Sequence, residues 1–104
     1  MNETDRNFSS FNEFYPYYLT EHRNRTSRRL HFTGTLLVIL ILFYAVISGR
    51  YFLLLLLPVA GYSFAWFGHF LFEKNKPATF KYPYYSLLGD FRMFRDMLTG
   101  RIKF

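Results

Sequence analysis

The residues best suited to chemistry here are three histidines and one glutamate: His22, His31, His69 and Glu73. Neutral imidazole is a good ligand for iron, zinc or copper. Two imidazoles and a carboxylate with open positions make the facial triad of mononuclear non-haem iron. Glu73 follows His69 by four residues, so a helix puts both on one face. The sequence has no cysteine, which removes thiolate ligands, thiol nucleophiles and disulfides, and makes a structural zinc site less apt. The set is too small for a di-iron centre rich in carboxylates. The plainer reading is that each histidine is an interfacial polar residue and that a His–Glu pair four apart arises by chance.

A second group is basic. Arg23, Arg25, Arg28 and Arg29 cluster with Glu21 between the first aromatic segment and the first long apolar run. Their ordinary role is attraction to anionic lipid. Their sharper role, for Arg23 and Arg28 above all, is to grip the carboxylate of a lipid substrate, for which a guanidinium has bidentate geometry. Trp66 and the tyrosines read as interfacial belt and packing residues. Asp90, after Gly89, could cap a tail helix. No Ser-His-Asp arrangement, phosphate-cradling glycine loop or nucleotide fingerprint is present.

The elements that must position these residues follow from the hydropathy. From Phe32 to Phe72 the only formal charge is Arg50; every other charged residue lies in the flanks. Leu30–Ser48 is almost wholly apolar, and Tyr51–Phe72 is about 33 Å long as a helix, enough to cross a bilayer. Gly49 and Arg50 make the break. Pro58 either kinks the second span or marks a late helix start, and Pro77 biases Lys76 out of the helix. Gly61 and Gly68 suit close helix packing. The fold class is therefore an all-α membrane protein: a two-span transmembrane hairpin with amphipathic N- and C-terminal helices, forming one domain over 1–104.

Within it, 1–9 reads as a polar, mobile terminus and 10–27 as an amphipathic segment. The spans are 28–48 and 51–73, and 82–104 is an interfacial tail. Ser10 with Glu13 reads as a capping box. Pro16 interrupts the first helix, and Thr26 or Ser27 caps the first span. In the tail, Leu87, Leu88, Phe91, Phe94 and Leu98 share one face while Arg92, Arg95 and Asp96 point elsewhere.

The chain carries a net charge of +6 and is 23% aromatic. That combination also occurs in nucleic-acid binders, but no such module is recognisable, so no nucleic-acid partner is expected. Residues 1–31 contain five arginines and residues 73–104 contain seven Lys plus Arg. The positive-inside rule then puts both termini in the cytoplasm, in a bacterial inner membrane or the endoplasmic reticulum. No signal peptide is visible. An antiparallel hairpin brings His31 and His69 to the same end, with His22 just before them.

These residues resemble a known family. Phe14-Tyr15-Pro16-Tyr17-Tyr18-Leu19-x-x-His22, then His31 with Gly34 shortly after, is similar to its first signature. Gly68-His69-x-x-Phe72-Glu73-x-x-x-Pro77-Ala78 is similar to its second. The family is the membrane 2-hydroxy-fatty-acid dioxygenases, long labelled a domain of unknown function, and the resemblance covers roughly residues 11–98. It implies Fe(II)-dependent oxidation of a 2-hydroxy fatty acid by O2 to a fatty acid one carbon shorter. It implies His22, His31 and His69 as catalytic iron ligands. Glu73 is added from helical geometry, as a ligand or as a partner orienting an imidazole. Two features depart from the family: longer relatives have more spans, and Ser27 stands where Asn is frequent. A homodimer would supply a four-helix bundle. The contrasting reading is a non-enzymatic membrane protein that binds lipid or assists assembly.

Overall fold

The structure, a computed structural model, describes residues 8–76 and 81–104. Pro77 and Ala78 of the second signature, and most of the expected polar terminus, lie outside those residues. Among the described residues the chain is all-helical. Four α-helices run in order: α1 (Phe11–Thr20), α2 (Arg25–Ser48), α3 (Leu56–Phe67) and α4 (Pro83–Leu98). A 3-10 turn (Tyr51–Leu55) leads into α3, and a π-helical turn (Gly68–Glu73) continues from it.

α1 begins where the Ser10 side chain accepts the Glu13 N–H at 3.2 Å. The Glu13 carboxylate reaches past the cap residue to the Ser9 N–H and hydroxyl instead of closing the box. Pro16 does not interrupt the helix. It removes one backbone donor from a helix whose aromatic side chains are already locked in place by packing, so tertiary contacts outweigh its usual penalty. α2 is capped by Asn24, whose side chain accepts the Ser27 N–H at 3.0 Å; Thr26 and Ser27 are already inside the helix. Gly49 ends it in the left-handed region at φ 72°, where glycine carries no Cβ penalty.

α2 and the run Tyr51–Glu73 are both long and apolar enough to cross a membrane. Pro58 falls in the first turn of α3, so it marks a late helix start, with the 3-10 turn ahead of it. The two helices cross closely at Gly34, where a Cβ would stand 2.9 Å from Phe64 Cβ and 3.3 Å from the Ala60 carbonyl oxygen. The expected close approach at Gly61 is an ordinary contact, since a Cβ there would lie 3.4 Å from Val38. The outward faces are strongly apolar: Ile47 is 82% exposed and Leu55 79%.

The dense packing lies at the open end of the hairpin. There α1 and α4 bury Phe14, Tyr15, Tyr17 and Tyr18 against Met93 and Met97. Phe8, expected in a mobile terminus, joins this core and packs edge-on to Phe14 at 5.5 Å. α4 also leans on α2 through the stacked Phe32–Phe94 pair, 4.6 Å apart. Its inward face is Ser86, Gly89, Met93, Asp96 and Met97, so Asp96 points in, while Leu87, Phe91 and Leu98 point out. Of the expected apolar face, Leu88 and Phe94 are half-buried, Phe94 on Phe32, and of the polar set Asp96 turns in while Arg95 stays exposed. Asp96 is buried because the Tyr15 hydroxyl donates to it at 2.7 Å and the Arg92 guanidinium lies 3.4 Å away. Asp90 is inside the helix and not a cap, because α4 starts at Pro83.

Candidate metal centre

Each histidine comes from a different element. α1 ends at Thr20, and its last carbonyls accept from residues beyond the helix. One of them, Tyr18 C=O, takes the Nδ1 of His22 at 2.7 Å as the chain turns towards α2. His31 sits in the second turn of α2 with its Nδ1 3.0 Å from the Ser27 carbonyl oxygen. His69 lies in the π-helical turn, a widened turn that often marks functional sites. Close approach of that turn to α2 requires Gly68, whose Cβ would fall 2.7 Å from Ser27 Oγ.

The His69 Nδ1 lies 2.6 Å from Asn75 Oδ1. The amide orientation is fixed independently. Asn75 Nδ2 donates to the Glu21 carbonyl at 3.2 Å and to its carboxylate at 2.6 Å, so the amide oxygen faces the imidazole. Asn75 returns because Lys74 adopts φ 56° at the end of the turn. Asn75 was not singled out from the sequence. The one signal for it was its place in the short polar Lys-Asn-Lys run where the second span ends.

All three Nδ1 atoms thus face oxygens that accept in these bonds, so each carries the ring proton and each Nε2 presents a lone pair. The three rings meet in the interior. His22 and His31 have centroids 4.3 Å apart, His22 and His69 4.5 Å, and His31 and His69 5.0 Å. His22 Nε2 and His31 Nε2 are 3.0 Å apart. All three ligand atoms lie within 4.8 Å of one another, and all three residues are buried.

Two lone pairs at 3.0 Å repel unless a cation lies between them. A proton could serve only if one ring became imidazolium. Burial, then the neighbouring His31 and His69, push the His22 pKa well below the usual histidine range. A metal ion would satisfy the His22 and His31 nitrogens, and the His69 imidazole completes a group of three that could hold one. Two ligands at right angles, each about 2.1 Å from an ion, stand about 3.0 Å apart. The donor set therefore fits a metal, with buried imidazoles whose outer nitrogens are oriented by carbonyl or amide oxygens.

Glu73 is placed differently from the expectation. Its carboxylate accepts the Asn24 N–H at 2.6 Å, at the head of α2, and it is not one of the three converging ligands. Arg28 is held by main-chain oxygens, donating to Arg23 C=O at 2.8 Å and to His22 C=O at 3.4 Å. It braces the loop that carries His22. Arg23 is exposed on the same rim, as is Arg25, while Arg29 donates to the Phe104 carbonyl at 2.9 Å.

α4 reaches the centre through Tyr18. That ring stacks on His22 with centroids 4.1 Å apart, and its hydroxyl donates to Asp90. Burial raises the Asp90 carboxyl to about 7 against the opposing effect of this bond. Burial, then the Asp90 charge, raises the Tyr18 phenol as well.

Fold and site together define a helical hairpin closed at one end by two short helices over a three-histidine centre able to hold a metal ion. The family model described as 2-hydroxy-palmitic acid dioxygenase Mpo1-like matches residues 8–102, and the chain belongs to that family. No curated protein and no solved structure matches the chain.

Proposed function

We propose that this protein is an Fe(II)-dependent membrane oxygenase that shortens a 2-hydroxy fatty acid by one carbon with O2. The observation that carries the reading is the gathering of three buried imidazoles whose ligand nitrogens lie within 4.8 Å of one another. The family description supplies the substrate class. Imidazoles without thiolates suit ferrous iron, and a three-nitrogen set leaves positions open for other ligands.

The reaction balances without a separate reductant. A 2-hydroxy acid and O2 yield the acid one carbon shorter, carbon dioxide and water. The hydroxyl-bearing carbon becomes the new carboxyl, and the electrons lost by the two carbons equal those O2 takes up. Bound iron would supply the activation of O2 for this oxidation. His22, His31 and His69 would hold it, and Tyr18 C=O, Ser27 C=O and Asn75 fix their rings. The buried aromatic layer of α1 and α4 excludes water. Arg23 and Arg28 lie on the rim where a carboxylate head would arrive, and Arg28 also secures the His22 loop.

The exposed apolar faces of α2 and α3 support insertion in a bilayer, because surfaces such as Ile47 and Val59 are disfavoured in water. The basic flanks support both termini on the cytoplasmic side, in a bacterial inner membrane or the endoplasmic reticulum. A homodimer through those faces would complete a four-helix bundle.

The test is turnover of a 2-hydroxy fatty acid under isotopically labelled O2 by iron-loaded protein in lipid. The expected product is the shortened acid with label in its new carboxyl, lost in His22→Ala, His31→Ala and His69→Ala. Recovery of substrate unchanged from iron-loaded wild type would leave a non-enzymatic membrane protein that binds lipid or assists assembly.

A further inference from the structure

A groove of about 330 Å3 runs between α2, α3 and α4. Its size is in the range of small-molecule sites, about 300–1,000 Å3. The two ends differ in chemistry. His31, Thr35 and Asp90 line one end, and Leu42, Leu57 and Pro58 line the other. The groove therefore starts at a ligand of the metal centre and runs down the hairpin away from it. Its lips, Leu42, Tyr62 and Phe91, are themselves exposed on the apolar face, so it opens sideways.

We infer that this groove holds the hydrocarbon tail of the substrate, with the polar head at the His31 end and Leu57 beside Pro58 as the stop that sets chain length. This rests on the oxygenase reading for the nature of the head. A ligand with one polar end and one long apolar end is favoured in that direction, because His31, Thr35 and Asp90 gather at one end while Leu42, Leu57 and Pro58 line the other. The length also fits. Leu42 follows His31 by eleven residues on one helix, about 16 Å at 1.5 Å per residue. An extended carbon chain advances about 1.2 Å per bond, as an extended backbone does, so the groove takes about 13 bonds. That is the scale of the palmitic chain in the family description. The tail thus lies between the protein's own helices, entering from the bilayer side.

Asp90 links the groove to the centre. Its carboxyl is held by the Tyr18 hydroxyl, and the Tyr18 ring lies on His22. The polar end of the groove therefore abuts the assembly that orients His22.

The experiment is photo-crosslinking in phosphatidylcholine nanodiscs, with iron-loaded protein kept free of oxygen so that nothing turns over. Two 2-hydroxy fatty acids are used, one with a diazirine near the head and one with it at the tail end. The expected result is labelling near His31 and Asp90 by the first and at Leu42 or Leu57 by the second, both abolished by excess unlabelled acid. Leu57→Trp should cut labelling by the long probe about tenfold or more, the usual scale of overfilling a packed space. It should spare a probe about four carbons shorter. Labelling confined to the outer faces at Ile47 and Leu55, or undiminished by competitor, overturns the groove assignment. So does an equal loss of both probes in Leu57→Trp. The two readings fail separately: shortened acid formed on aerobic turnover with only outer-face labelling removes the groove and leaves the oxygenase. Competed groove labelling by a protein that neither holds iron nor turns over removes the oxygenase and leaves a lipid-tail site.

Discussion

Adding one methyl group at Gly89 tests how tightly α4 is coupled to the metal centre. In an ordinary helix interior Gly→Ala gains about 1 kcal/mol. Here the new Cβ would stand 2.8, 2.9 and 3.1 Å from three atoms of the Tyr18 ring. Ordinary contact begins at 3.4 Å, so the ring must retreat about 0.6 Å. It is 1% exposed, faces His22 at 4.1 Å and is anchored at its hydroxyl by Asp90, so the displacement passes to the ligand. Overpacking of this kind costs about 1–3 kcal/mol. Set against the propensity gain, Gly89→Ala should lose up to about 2 kcal/mol, several degrees of melting temperature for a chain of this size. Metal affinity should fall about tenfold, the lower end for disturbed support of a ligand. In a Tyr18→Leu background the ring is gone, and the same change should stabilise by about 1 kcal/mol. The assay is thermal unfolding of the four proteins of the double-mutant cycle in detergent, with metal titration alongside. Stabilisation by Gly89→Ala in the wild-type background would refute the coupling.

Three further outcomes follow from the same contacts. Asn75→Ala should weaken metal binding about 10–100-fold with all three imidazoles intact, because His69 loses the oxygen that fixes its Nδ1 proton; a metal titration equal to wild type would count against that role. Glu73→Gln should keep its metal, and Glu73→Ala should lose about 1 kcal/mol of stability from the head of α2; loss of metal in folded Glu73→Gln would return Glu73 to the ligand set. Asp90, raised from 3.8 to about 7 by burial, binds a proton more tightly when folded. Stability should therefore be highest below about pH 4 for this group, decline as pH rises to about 7, and stay lower above it; Asp90→Asn should flatten that slope in denaturation curves, and an unchanged slope would contradict the assignment.

The hairpin was legible because its signals are local: two uncharged runs and a Gly-Arg break produce α2, the turn and the second apolar segment. The meeting of His22, His31 and His69 was also legible, since antiparallel spans bring their ends together. What sequence could not show was which way α4 faces. An apolar stripe marks a face that seeks apolar contact, and a bilayer satisfies it as well as a core does. Leu87, Phe91 and Leu98 point out while Asp96 is buried on Tyr15 and Arg92. The contact of Glu73 with the Asn24 N–H left no trace in the sequence, because it joins residues 49 apart across the hairpin. Asn75 and the Gly89–Tyr18 contact depend on a left-handed residue at Lys74 and on a close approach of distant helices, and neither leaves a periodic trace.

The most direct test of the metal centre is the iron content of protein purified without oxygen and loaded with Fe(II), for wild type, His22→Ala, His31→Ala and His69→Ala. The account predicts stoichiometric iron in the wild type and its loss in each folded variant. A wild type that takes up no iron, or folded variants that retain it, would contradict the three-histidine centre.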